Sequence, residues 1–249
     1  MSPRIPDLST LPYVFMAPCG YHYCSGSMKI IGINSSPKGE KSQTRRLVMA
    51  VLEGARQVGA DVTFVDICAL DIHYCTACGI CYAKGECIHD DDFPALLLKM
   101  SEADGIVLGS PNYINAVTAQ LKTMLDLMAD TVHCQAFAGK YGCAVCTAGG
   151  SYANEVADYM NMALGNYGAM TVGKVAVHLG ADPDAIVGAE REAKALGKKL
   201  AEAIKARWSD PAQQNVLAER REYFKRLVSF NKDLWKHEYD YWKVSGELP

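Results

Sequence analysis

Cys75, Cys78, Cys81 and Cys87 fall within thirteen residues, in the run Tyr74-Cys-Thr-Ala-Cys-Gly-Ile-Cys-Tyr-Ala-Lys-Gly-Glu-Cys-Ile. The spacing Cys-x2-Cys-x2-Cys-x5-Cys can wrap four thiolates round one compact cage, the arrangement that holds a cubane iron–sulfur cluster. That chemistry moves single electrons. Zinc competes for the same residue types, although structural zinc sites usually draw two ligand pairs from separated segments. Reduced thiols in a loop without metal are the remaining reading.

A thiol cage needs a scaffold, and the chain between Lys29 and about Lys205 alternates apolar runs with amphipathic stretches. Strand–helix alternation of this kind predicts an α/β doubly wound parallel sheet. Five strands are expected, at Lys29–Asn34, Asp61–Ile67, Asp104–Gly109, Tyr141–Thr147 and Lys174–Leu179. Their near-continuous aliphatic content suits strands covered on both faces. Val117, Leu121, Met124, Leu125 and Met128 recur at helical spacing, as do Ile186, Val187, Ala193, Leu196, Leu200 and Ile204. Both stripes are read as core. Asp182 before Pro183 predicts the start of the last of these helices.

In such sheets a ligand lies beyond the carboxyl ends of the strands, so the loops after strands one, three and four are the places to look. The first, Ser35-Ser36-Pro37-Lys38-Gly39-Glu40-Lys41-Ser42-Gln43-Thr44, lacks both the Gly-x-Gly-x-x-Gly and the Walker patterns. What remains is a hydroxyl-rich cradle for a terminal monoester phosphate of the kind FMN carries, or an ordinary helix cap. The second, Ser110-Pro111-Asn112-Tyr113-Ile114-Asn115-Ala116, could line one side of a flat heterocycle. In the third, Thr147-Ala148-Gly149-Gly150-Ser151, paired glycines permit the main chain to approach a ring edge closely.

These segments resemble the iron-sulfur flavoprotein branch of the NADPH-dependent FMN reductase family, within the flavodoxin-like superfamily, over roughly residues 29–205. The resemblance rests on Ser36-Pro37 with Ser42 and Thr44, the cysteine run with Gly85, Ser110-Pro111-Asn112-Tyr113, Lys122 with Asp126, and Gly149-Gly150. It implies a flavodoxin strand order. It implies FMN phosphate held by Ser36, Lys38, Ser42 and Thr44, with the isoalloxazine held by Pro111, Asn112, Tyr113, Ile114, Asn115, Ala116, Gly149 and Gly150, beside Thr147 in the third loop. Cys75, Cys78, Cys81 and Cys87 match the branch motif one for one and would bind a four-iron four-sulfur cluster. Electrons would pass between a ferredoxin-like one-electron carrier or NAD(P)H and an acceptor, in a homodimer or homotetramer. Some relatives keep such cysteines yet are described simply as NAD(P)H-dependent flavin or quinone reductases, so a reductase without a cluster stands as the alternative. A zinc-stabilised, non-catalytic module is the third.

Composition narrows the rest. With 249 residues, 49% hydrophobic and a net charge of −3, the chain supports one core with appended segments and offers no basic surface for nucleic acid. No run has the length of a membrane helix, residues 1–28 make a poor signal peptide, and a chain this large does not need its ten cysteines as staples, so a reducing cytoplasm is expected. Residues 1–28 read as an extension and 206–249 as an aromatic helical arm, with Tyr223, Leu227, Phe230, Leu234, His237 and Tyr241 in a four-three alternation that packs on its own domain or on a partner subunit.

Other residues have ordinary readings. Cys143 and Cys146, three apart on a strand, face opposite sides and are core. Cys68 is expected to be buried, Cys134, Cys19 and Cys24 to be exposed thiols, His89 to face solvent and His237 to be a satisfied interface histidine. Asp90, Asp91 and Asp92 are expected to cap the following helix, and Lys122 to pair with Asp126. No nucleophile–base pair or hydrolase motif is present.

Overall fold

The computed structural model describes residues 27–180, 182 and 184–249. The five expected strands form one parallel sheet in the order β2-β1-β3-β4-β5. They are β1 Lys29–Asn34, β2 Asp61–Asp66, β3 Gly105–Pro111, β4 Tyr141–Ala148 and β5 Met170–His178. β3 is buried throughout, as its aliphatic run requires when helices cover both faces. β5 starts four residues earlier than its apolar pattern suggests. Gly173, at φ +146°, puts an extra residue opposite Cys143, so Gly142 pairs with Thr171 and Ala144 with Lys174. A bulge of this kind interrupts the period of two that marks a strand.

Helices α1 (Gln43–Arg56) and α7 (Ala185–Ala206) cover one face, and α3 (Phe93–Glu102), α4 (Ala119–Leu127) and α6 (Ala153–Asn166) the other. The α4 stripe is buried as expected. In α7, Val187 is exposed while Ala189 takes the core position, because the 100° advance per residue cannot bury both Ile186 and its neighbour. Asp182 does not begin that helix. Its carboxylate accepts the Asp184 amide at 2.9 Å, and the helix opens at Ala185, three residues further on.

Two short helices, α2 (Ile80–Lys84) and α5 (Ala129–His133), lie by the cysteine run, and the arm folds as α8 (Pro211–Phe230) and α9 (Lys236–Val244). The expected aromatic stripe is only in part the packing face. Tyr223, Phe230 and Leu234 are exposed, while its Tyr241 is buried in the α3/α4/α6 core together with Val228 and Trp242 from outside the stripe. The turn at Asn231–Trp235 breaks the helix and resets the period. Met28 is buried too; residues 1–26 of the expected extension, with Cys19 and Cys24, lie outside the described residues.

Candidate functional site

The loop after β1 is hydroxyl-rich and buried, with Ser36, Ser42 and Thr44 each no more than 2% exposed. The Ser42 side chain accepts the Arg45 amide at 3.0 Å and caps α1. The helix-cap reading is therefore realised without cancelling the other, because a hydroxyl that accepts keeps its own proton to donate. Thr44 Oγ1 and Thr147 Oγ1 lie 2.7 Å apart. One donates to the other, so one proton of the pair stays available, and the contact ties the first loop to the third. Lys38 stands exposed at the rim.

In the second loop Tyr113 and Ala116 exchange backbone bonds at 2.9 and 3.2 Å, closing a two-residue turn with Ile114 at φ +51° and Asn115 at φ +60°. Left-handed backbone at a β-branched residue is strained, and Ile114 is 98% exposed, so no core contact compensates. Strain of this kind gathers where a ligand or partner is met. Asn112 donates to the Ser151 carbonyl at 2.6 Å, while its buried Oδ1 has no partner among the described residues. A buried acceptor without a donor is costly. Gly149 and Gly150 are exposed, and a Cβ added at either would meet nothing within 4 Å. Protein packing thus does not demand glycine there; the room they leave opens outward from the mouth. The residues fit a flavin phosphate and ring on these three grounds: spare hydroxyl protons, an orphaned acceptor and an open glycine edge.

The four cysteines line a single cavity of ≈ 60 Å³, together with Tyr82, Gly85, Asp130 and Thr131. Ala77, Gly79 and Gly85 all take left-handed backbone (φ +55°, +72° and +77°), and these reversals fold the run into a loop. Its neck is laced by the acidic residues expected to cap α3. Asp92 Oδ2 accepts the Asp71 amide and Asp91 Oδ2 the His73 amide, each at 2.9 Å. Asp91 Oδ1 does accept from Phe93 at 2.9 Å, but Asp92, at the cap position, makes no side-chain cap bond. His89, expected to face solvent, is half-buried: its Nε2 reaches the Tyr74 carbonyl at 3.0 Å and its ring stacks on His73.

Among the described residues, no three or more His, Cys, Asp or Glu side chains converge as a single-ion site requires. The four thiols instead stand round the cavity, in number and type the donor set of a polynuclear iron–sulfur core. Thr131 adds a second sign of fit: it is fully buried, lines the cavity, and its Oγ1 has no partner among the described residues.

Behind the cavity-lining Tyr82 and Asp130 lies a layer of residues that, His237 apart, sequence reasoning did not single out. The Tyr82 ring packs on His133 and Trp235, with centroids 4.8 and 5.0 Å away, and His133 stacks on Trp235 at 4.8 Å. His133 Nδ1 lies 2.9 Å from Glu238 Oε1, and Trp242 Nε1 donates to the His133 carbonyl at 3.2 Å. His237 sits 3.8 Å from Asp130 and against Gly85. Burial pushes the Asp130 carboxyl up to about 7 and that of Glu238 up to about 8, and the two hydrogen-bond to each other. Burial lowers His133 instead. Burial, with the Asp130 and Glu238 charges behind it, holds the Cys81 thiol up at about 12, so it ionises only against compensating positive charge.

The remaining thiols divide by burial. Cys143 and Cys146 sit in the cores on opposite faces of the sheet, as period-two strand geometry requires. Cys134 is not exposed. It is 2% accessible and burial raises its thiol well above the ordinary range, because α5 turns it into the core under the arm. Cys68 is half-buried, raised to about 11 by burial and the Asp66 charge. Lys122 pairs with Asp126 as expected.

A five-stranded parallel sheet in this order, with its loops gathered at the carboxyl ends, defines a flavodoxin-like α/β protein. A flavone reductase structure superposes with a TM-score of 0.58 at 21% identity over 72% of this chain and 63% of that one. A flavodoxin from the domain Archaea gives 0.50 at 18% identity over 72% and 99%. Residues 28–184 match the family model for NADPH-dependent FMN reductase. An iron-sulfur flavoprotein of Archaeoglobus fulgidus is 36% identical over 225 residues, 88% of this chain and 99% of that protein. An iron-sulfur flavoprotein of Methanocaldococcus jannaschii is 40% identical over 99 residues, 40% of this chain and 51% of the relative. The chain belongs to the NADPH-dependent FMN reductase family of flavin-dependent oxidoreductases, in its iron-sulfur flavoprotein branch.

Proposed function

We propose that the protein is a two-centre electron-transfer flavoprotein, with FMN at the mouth of the sheet and a four-iron four-sulfur cluster on Cys75, Cys78, Cys81 and Cys87. The observation that carries this reading is the single cavity lined by all four cysteines, in a chain whose hydroxyl loop and orphaned Asn112 oxygen suit a flavin. When bound, the two groups would supply one-electron exchange and the storage of one or two electrons. The chain's own residues place and tune them. Ser36, Ser42, Thr44 and the rim charge of Lys38 would hold the phosphate; Asn112, the Pro111–Ala116 turn, Thr147, Gly149 and Gly150 would border the ring. The acidic neck fixes the cysteine loop, and the aromatic wall keeps water from its inner side.

The electron source would be a ferredoxin-like carrier or NAD(P)H, and a homodimer or homotetramer is the assembly implied. The alternative is an NAD(P)H-dependent flavin or quinone reductase whose cysteines are empty. Replacing Cys78 by Ala tests the choice. In the two-centre reading the variant loses its iron and keeps FMN. A variant that reduces its acceptor with NADPH at the wild-type rate would overturn that reading for the empty-thiol reductase. Among the described residues no helix is long and apolar enough to cross a membrane.

A further inference from the structure

Thr131 lies in the middle of α5, where a threonine hydroxyl normally turns back to the carbonyl four residues earlier. On the preceding helix Thr123 does so, donating to Ala119 O at 2.9 Å. Thr131 does not. Its side chain is fully buried, yet Oγ1 has no partner among the described residues. An unmade hydrogen bond at a buried hydroxyl is destabilising, and a valine of the same shape would avoid it. The one unusual surface the residue meets is the cavity it shares with Cys75, Cys78, Cys81 and Cys87.

We propose that Thr131 is a potential-setting residue, whose hydroxyl donates a hydrogen bond to sulfur of the centre held by the four cysteines. The inference rests on the two-centre reading above. Sulfur in such a centre becomes more negative on reduction, so a donor pointed at it favours the reduced form and raises the potential. The helix supplies rigidity: Thr131 is packed between Asp130, whose carboxyl is engaged with Glu238, and Val132, whose amide bonds to Met128 O at 3.1 Å. Nothing in α5 competes for the hydroxyl proton.

The test compares Thr131→Val and Thr131→Ser with the wild type in full-length protein isolated without oxygen. Redox titration followed by the visible and electron paramagnetic resonance signals of the iron should place the Thr131→Val cluster at a lower midpoint potential, with Thr131→Ser near the wild type and the flavin potential the same in all three. Equal cluster potentials in Thr131→Val and wild type would overturn the proposal. Wild-type protein without iron and sulfide would instead refute the two-centre reading beneath it. A second readout uses metal-free protein: urea unfolding should find Thr131→Val at least as stable as wild type, since no internal bond is lost. A clear loss of stability would show that the hydroxyl serves the fold, against the proposal.

Discussion

Gly85→Ala is the sharpest test of how the arm meets the cysteine loop. Gly85 closes α2 in the left-handed region, at φ +77°, with its amide 2.8 Å from the Cys81 carbonyl. An added Cβ would lie 2.4 Å from His237 Cε1 and 2.5 Å from Nδ1, well inside contact distance. The left-handed backbone costs an alanine about 1–2 kcal/mol, and displacing the ring about 1–3 kcal/mol. Together these predict a loss of about 2–5 kcal/mol. The two parts separate in a double-mutant cycle: with His237→Ala in place, only the backbone part of about 1–2 kcal/mol should remain. Urea unfolding read by tryptophan fluorescence suits the measurement, because Trp208, Trp235 and Trp242 all lie in the last forty-two residues. An equal cost for Gly85→Ala with and without His237 would refute the contact between arm and loop.

Other outcomes follow from the same geometry. Asp130 and Glu238 have raised carboxyls, so the fold holds protons that the unfolded chain has released above about pH 4; their contribution is whole below that pH and is lost as pH rises through 7 to 8. His133 is lowered and works oppositely, costing stability as pH falls below about 6.5. Between about pH 6.5 and 8 the carboxyls therefore act alone, with a slope of at most about −1.4 kcal/mol per pH unit for each retained proton; unfolding across that range should show it, and a profile no flatter in Glu238→Gln would contradict it. Asn112→Ala removes the orphaned acceptor and its bond to Ser151, and should weaken FMN about tenfold, on the order of 1.4 kcal/mol, by fluorescence titration of the apoprotein; an unchanged Kd would take Asn112 out of the site. Ser42→Ala should destabilise α1 by about 1 kcal/mol and also weaken FMN. A variant that loses stability alone would confine Ser42 to capping.

The central strands were readable because they are buried on both faces, which leaves unbroken aliphatic runs such as Ile106-Val107-Leu108. Where a strand departs from that rule, at Gly173, the boundary moved. The loops proposed to hold phosphate and ring were legible from their places after β1, β3 and β4, since topology alone sends those loops to one end. The wall behind the cysteines was not. Asp130, His133, Trp235 and Glu238 meet across more than a hundred residues of sequence, and no local spacing signals that. The aromatic pattern of the arm misled because a turn at Asn231–Trp235 shifts the helical phase, so Trp242 and Val228 carry the packing that Phe230 and Leu234 were expected to carry. Acidic residues 90–92 look like a helix cap in sequence. In space, Asp91 and Asp92 bind the far side of the cysteine loop, a role that needs the loop already closed.

Iron, acid-labile sulfide and released flavin, quantified per chain on protein isolated and reconstituted without oxygen, test the two-centre arrangement directly. About four iron, about four sulfide and one FMN per chain are predicted, the iron and sulfide vanishing together in Cys78→Ala while the flavin stays. Flavin at full occupancy with iron and sulfide absent from the wild type would contradict it.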